Sequence, residues 1–194
     1  LICRNESVTL VGDITPSYST LPAAAFEHIK KALEKRGFDI RVVFLMRDPF
    51  ERVWSNIRMA KRDAPLTNNG SVIIDPDESL LMNNYRVAGV QIRTRYEKTI
   101  SNLETVFDTG QIYYGFFELL FSEASAREIS EFLSVPYTSP RLDLKYNESP
   151  KSEKISHEAI SAVVDFYKDT YEFCSDRFGA SVISSIWPAA RYLK

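Results

Sequence analysis

Arg47 and Ser55 are the residues whose types and spacing most invite chemistry. A guanidinium offers a planar fork of donors that matches the oxygens of a phosphate, and a hydroxyl adds one more. Residues 40–46, IRVVFLM, are apolar apart from Arg41 and rich in β-branched and aromatic side chains, which fits a strand buried on both faces of a parallel sheet. Arg47 and Asp48 end that run. Pro49 then stands where a helix takes its first residue, because it needs no donor there and its fixed φ is already helical. Phe50, Val53, Ile57 and Ala60 recur at helical spacing as the core face of this helix, with Arg52, Ser55 and Met59 on the opposite side. Arg47 therefore leaves the carboxyl end of a strand and Ser55 lies two turns into the next helix, so the two can converge on one phosphate. Taken alone, a basic residue after a strand and a serine on an exposed helix face are also ordinary punctuation between elements.

The elements that must position this pair follow from pattern and breakers. Residues 7–11 are a short strand candidate, closed by Gly12 and the turn-forming run 13–18. Residues 22–36 place Phe26, Ile29 and Leu33 on one helical face, and Gly37 ends that helix. Strand, helix and central strand then form a β-α-β unit with parallel strands and a right-handed crossover. Asp13 and Arg47 would leave the same carboxyl edge, where open α/β folds place ligands. Farther on, residues 62–76 read as a mobile polar loop over the site, and residues 78–86 as a helix. Residues 91–107 read as one longer helix buried through Ile92, Tyr96, Ile100, Leu103 and Phe107, and residues 111–117 as a strand. Residues 122–133 form an amphipathic helix, 136–153 show little periodicity, and 157–178 read as a single closing helix. The expected fold class is α/β, one domain over residues 1–194 with a central parallel sheet flanked by helices.

Composition narrows the function classes. The 194 residues suffice for one domain with a substantial core, and 44% apolar with 26% charged is ordinary for a globular chain. A net charge of -2 gives no general pull toward nucleic acid, so any anion site must be local. Basic residues cluster at Arg58, Lys61 and Arg62 and again at Arg86, Arg93, Arg95 and Lys98, mostly as solvated helix faces by this reading. No apolar run is long enough to span a bilayer. Cys3 and Cys174, without histidines at ligand spacing, argue against a structural metal and a disulfide scaffold and favour a reducing, cytoplasmic setting.

Arg47-Asp48-Pro49 followed by Arg52 and Ser55 spells R-D-P-x-x-R-x-x-S, which resembles the segment of sulfotransferases that use 3'-phosphoadenosine 5'-phosphosulfate (PAPS). In that family the matching Arg and Ser hold the 3'-phosphate. DITPSY, residues 13–18, resembles the family's E/D-x-T-P-x-Y turn, whose acidic residue is the catalytic base; sulfuryl transfer to a hydroxyl needs one. Asp13 is one methylene shorter than the glutamate many members carry, and an Asp there also caps a turn. Tyr96, the FFELL run around Glu118 and EISEFLSVPY follow in the family's order, though core packing and helix capping are the preferred account of Tyr96 and Glu118 themselves. KYNESPKS, residues 145–152, resembles the late cofactor loop, with Asn147 and Lys151 as its polar contacts and Lys151 supplying charge to a phosphate.

The resemblance implies a three-layer, P-loop-like sulfotransferase domain that moves a sulfuryl group from PAPS to a hydroxyl, or secondarily an amine, of a small-molecule or carbohydrate acceptor, without a metal. It implies Asp13 as base and Arg47, Ser55, Asn147 and Lys151 as cofactor-binding residues. His28 and His157 are the remaining candidates for a base. The family's Lys- and Gly-rich loop for the 5'-phosphosulfate has no counterpart here, nor does G-x-x-x-x-G-K-[ST], so the domain is expected to lack its first strand-loop-helix unit. Two alternatives stay open. A nucleotide kinase relative would share the phosphate-binding arginines but should carry an acidic magnesium pair near a Walker loop. A non-catalytic module for a nucleotide or a sulfated ligand would need neither.

Overall fold

The computed structural model describes residues 8–67, 72–143, 149, 151 and 153–194. Ten helices and two strands follow in the order α1 (Ala23–Glu34), β1 (Val42–Met46), α2 (Pro49–Thr67), α3 (Asp77–Asn84), α4 (Ala88–Thr94), α5 (Tyr96–Glu104), β2 (Ile112–Phe116), α6 (Phe117–Leu120), α7 (Glu123–Phe132), α8 (His157–Phe166), α9 (Lys168–Phe178) and α10 (Ala180–Ile186), among the described residues. Short 3-10 turns occupy Pro16–Thr20, Thr109–Gln111 and Pro188–Tyr192. The chain is thus a mostly helical α/β domain around a small sheet.

That sheet is a parallel pair, with Val42 opposite Ile112 and Met46 opposite Phe116. Among the described residues the partner of the central strand is therefore β2, not residues 8–11. Residues 8–11 form no strand, and Val8, Leu10 and Val11 are exposed. One sheet face is packed: Phe44 meets Tyr96, Phe116 meets Trp187 and Phe178, and Ile112 joins Phe26, Leu103 and Phe107. On the other face Val43 and Leu45 remain 39% and 40% exposed, so β1 is not buried on both faces as its composition suggests. There α7 lays Phe132 against Tyr113, the residue opposite Val43.

Local chemistry explains most helix ends. Gly37, at φ 84°, ends α1 in a Schellman arrangement: its own N–H reaches Glu34 O and the Phe38 N–H reaches Leu33 O. Ser122 and Ser156 accept from the backbone N–H three residues on, capping α7 and α8. Two helices read as continuous are interrupted. Arg95, at ψ 80°, separates α4 from α5, and Tyr167, at φ -100° and ψ 17°, separates α8 from α9. Tyr167 is fully buried and its hydroxyl donates to Tyr85 O at 2.6 Å, so a tertiary bond holds that break. The expected loop over residues 62–76 is also shorter, because α2 runs on through Thr67.

A main core joins α2, α3, α5, α8, α9 and α10 through Phe50, Val53, Ile57, Leu81, Ile100, Val163, Val164, Tyr171, Ile183 and Trp187. Ala60, expected in that face, is exposed, while Trp54 and Ala64 are buried. Among the described residues no helix is long and apolar enough to cross a membrane.

Candidate anion-binding site

The site begins with Asp48, which fixes the turn from β1 into α2. Asp48 is fully buried. Its Oδ1 accepts from the Phe50 N–H at 3.0 Å, the N-cap bond of α2, and from the Tyr171 hydroxyl at 2.5 Å. Its Oδ2 accepts from the Ala189 N–H at 2.8 Å. The Asp48 N–H donates to Glu118 Oε1 at 2.9 Å, and Glu118 Oε2 accepts from Trp187 Nε1 at 3.3 Å. Burial pushes the pKa of both carboxyls up, against the downward pull of these donors. Tyr96 donates its hydroxyl to Arg47 O at 2.8 Å and is itself fully buried. Tyr96 and Glu118 are thus positioning residues for the Arg47-Asp48 turn.

With its backbone fixed, Arg47 projects a side chain that is 22% exposed. Its guanidinium lies 4.4 Å from the Phe117 ring centroid, and Nη2 donates to Glu51 Oε2 at 3.3 Å. Glu51 Oε1 accepts from Lys151 Nζ at 2.6 Å. One carboxylate on the first turn of α2 therefore holds two cations that sequence separation places far apart. At roughly 100° per residue, Glu51, Ser55, Arg58 and Arg62 lie on one stripe of α2 within roughly 60°, with Trp54 beside it. The Ser55 hydroxyl is half-buried and has no hydrogen-bond partner among the described residues.

The late segment runs along this helix. Arg62 Nη1 donates to Ser149 Oγ at 3.3 Å, Lys151 reaches Glu51, and Glu153 accepts from Lys61 at 2.8 Å and from the Asp77 N–H at 2.6 Å. Lys151 Nζ also sits 5.0 Å from the Trp54 ring centroid. The structure therefore brings Arg47, Ser55 and Lys151 to one region of α2. Asn147 lies outside the described residues.

Two members of the cluster were not singled out in the sequence as site residues. Glu51 is one, and its signal was the i,i+4 spacing to both Arg47 and Ser55. Arg58 is the other. Read as part of a solvated face, it is instead 7% exposed, with its guanidinium 4.5 Å from the Trp54 ring centroid. Arg52 turns away from the stripe and donates to Thr94 Oγ1 at 2.9 Å.

Asp13 stands apart. Its exposed carboxylate accepts from Thr15 Oγ1 at 2.6 Å and from the Tyr18 hydroxyl at 2.5 Å, closing the turn. The Thr15 and Tyr18 bonds hold its pKa below the usual value. The following segment is pinned to α5 by Thr99 Oγ1 to Ser19 O at 2.9 Å and Asn102 Nδ2 to Leu21 O at 3.1 Å. No hydrogen bond or ion pair joins Asp13 to Arg47. His28 is exposed on α1, and the His157 ring packs edge-on against Tyr192. Neither bonds to Arg47, Glu51 or Ser55.

Chemically, the arrangement offers a planar fork, an ammonium and a hydroxyl at the carboxyl end of a parallel strand, which is the donor set of a phosphoryl or sulfuryl site. No protein-family model matches the sequence, and no curated protein matches it.

Proposed function

We propose that this domain binds a 3'-phosphorylated adenine nucleotide and acts as a PAPS-dependent sulfotransferase, moving a sulfuryl group to an acceptor hydroxyl, with an amine as the secondary acceptor class. The observation that carries the reading is that Glu51, one helical turn from Ser55, bonds both Arg47 and Lys151, while the Ser55 hydroxyl has no partner among the described residues. These are residues that the R-D-P-x-x-R-x-x-S segment and the late loop select independently. In this reading Arg47 and Ser55 hold the 3'-phosphate, Lys151 supplies charge to a phosphate, and Asn147 is the other polar contact that the late segment offers. Asp13 is the base: like any exposed carboxylate it is ionised at neutral pH, and it exchanges the Thr15 and Tyr18 hydroxyls for that of the acceptor. Sulfur-oxygen bond formation then accompanies proton transfer to the carboxylate and departure of adenosine 3',5'-bisphosphate. Positioning and stabilisation of charge on the bridging oxygen supply the rate. The acceptor class is a small molecule or carbohydrate, and the setting is cytoplasmic.

Arg47→Ala tests the reading. Hydrogen bonds to a charged group contribute about 1.5 to 3 kcal/mol, so adenosine 3',5'-bisphosphate should bind about tenfold to a hundredfold more weakly, with the fold intact by circular dichroism. Arg47→Lys should recover only part, lacking the fork. Unchanged affinity in the Ala variant would overturn the assignment.

A further inference from the structure

Arg58 carries a charge that the fold buries and leaves without an acceptor. Its Nε and Nη1 are both buried and make no hydrogen bond, and no ion pair with a described residue involves its guanidinium. Buried polar groups in native proteins are nearly always satisfied, and a buried charged donor is the costliest kind to leave unmet. The Trp54 ring at 4.5 Å supplies a π-face but no acceptor.

Its surroundings point to one kind of partner. Arg58 lies on the stripe of Glu51 and Ser55, near enough to Glu51 and Arg47 to feel both charges. It shares the Trp54 ring with Lys151. Glu51 already accepts from Arg47 and Lys151, so the acceptor nearest in kind is committed elsewhere. Asp77, the other carboxylate whose charge reaches Arg58, accepts from Trp54 Nε1 and Lys61, both at 2.8 Å. What the two orphaned donors lack is an oxyanion with several lone pairs, supplied from outside the protein.

We propose that Arg58 is a direct ligand of a phosphoryl group of the bound nucleotide, donating Nε–H and Nη1–H to its non-bridging oxygens on the stripe between Ser55 and Lys151. The proposal rests on reading that stripe as the nucleotide's anion seat. It adds a second guanidinium to the one the sequence motif provides and makes Trp54 the wall that holds it in place.

Arg58→Met separates this role from packing, because Met keeps an unbranched apolar stem against Trp54 and removes every donor. Parent, Arg58→Met and Arg58→Lys are titrated calorimetrically with adenosine 3',5'-bisphosphate, adenosine 5'-monophosphate and inorganic pyrophosphate. The Met variant should melt at or above the parent temperature without probe, since a buried orphan is gone, and should bind phosphorylated probes about tenfold or more weakly. Lys keeps the charge without the fork and should fall between; if Met does not fold, the Lys variant carries the test. In the parent, the Nε–H resonance of Arg58 should shift on adding probe, which a purely structural arginine would not show. Affinity within about twofold of the parent in the variants, or an unmoved resonance, would overturn the proposal. If the variants lose affinity while the parent shows no preference for a 3'-phosphate, Arg58 is a phosphoryl ligand and the PAPS reading fails. If the 3'-preference holds and the variants bind normally, the PAPS reading stands and this inference fails. No binding of any probe by the parent would overturn both.

Discussion

Glu51→Gln should tighten the binding of anionic nucleotides, and its size follows from the contacts of Glu51. Its carboxylate is 14% exposed and lies 2.6 Å from Lys151 Nζ and 3.3 Å from Arg47 Nη2. An incoming phosphate must displace it from both cations and then face its negative charge. Lys151 is half exposed, so solvent screens that pair and its loss costs on the order of 0.2 to 1 kcal/mol. The larger effect is repulsion between Glu51 and the phosphate. Two unit charges at 4 Å interact by about 4 kcal/mol at an effective dielectric of 20 and about 1 kcal/mol in water, so a partly open site should lie toward the lower end. A net gain of roughly 1 to 2 kcal/mol corresponds to about fivefold to thirtyfold tighter adenosine 3',5'-bisphosphate. Isothermal titration at low and high salt checks this, since the gain should shrink as the Debye length falls. Weaker binding in Glu51→Gln would refute the repulsion estimate, because it would show that the gathering of Arg47 and Lys151 by Glu51 outweighs its charge against the phosphate.

Asp48→Asn should destabilise the fold by about 1 to 3 kcal/mol in urea melts, because its amide N–H₂ would face the Ala189 N–H, a donor against a donor. The same variant should flatten the pH dependence of stability. Burial raises the folded pKa of Asp48 above its usual 3.8, so its stabilisation is fully present below that unfolded value and is lost as pH rises through the raised one; a parent-minus-variant difference that stays constant with pH would contradict this. Asp13→Asn, in protein competent for PAPS turnover, should lower turnover by about a hundredfold to ten-thousandfold with nucleotide affinity nearly constant. Turnover within about threefold of the parent would leave Asp13 as a turn cap only, since Asn can still accept one of the Thr15 and Tyr18 hydroxyls at Oδ1 and donate its amide N–H to the oxygen of the other. Cys174 is fully buried with its thiol pushed up to about 12, so alkylation mapped to it by mass spectrometry should follow unfolding; fast labelling of native protein would contradict its packing.

The strand-to-helix turn at Arg47-Asp48-Pro49 was legible because it is written in local terms: an apolar β-branched run, an Asp that caps, and a Pro at the first helical position. The end of α1 at Gly37 and the start of α7 at Ser122 were legible for the same reason. What failed to show was set by tertiary contacts. Nothing local interrupts the apolar stripe of residues 157–178, and the break at Tyr167 is held by a hydroxyl bond to Tyr85 across the core. Residues 8–11 have strand composition, but β1 pairs with β2, and a strand needs a neighbour as well as a composition. The helix α10 is short and serine-rich, and its signal was Ile183 and Trp187 at i,i+4 spacing, both fully buried. In the site, the relative placement of Arg47 and Ser55 could be read from the sequence because the end of β1 runs within three residues into α2, which carries Ser55. Arg58 could not, because a basic residue on a mixed helix face reads as solvated until the chain that covers it is known.

The central claim is that Arg47 and Ser55 form a seat for the 3'-phosphate of an adenine nucleotide. Its most direct measurement is a calorimetric titration of the parent protein and Ser55→Ala with adenosine 3',5'-bisphosphate and with adenosine 5'-monophosphate. The parent should prefer the bisphosphate by about tenfold or more, and Ser55→Ala should lose a large part of that preference while its affinity for the monophosphate hardly changes. Equal affinity of the parent for the two nucleotides would contradict it.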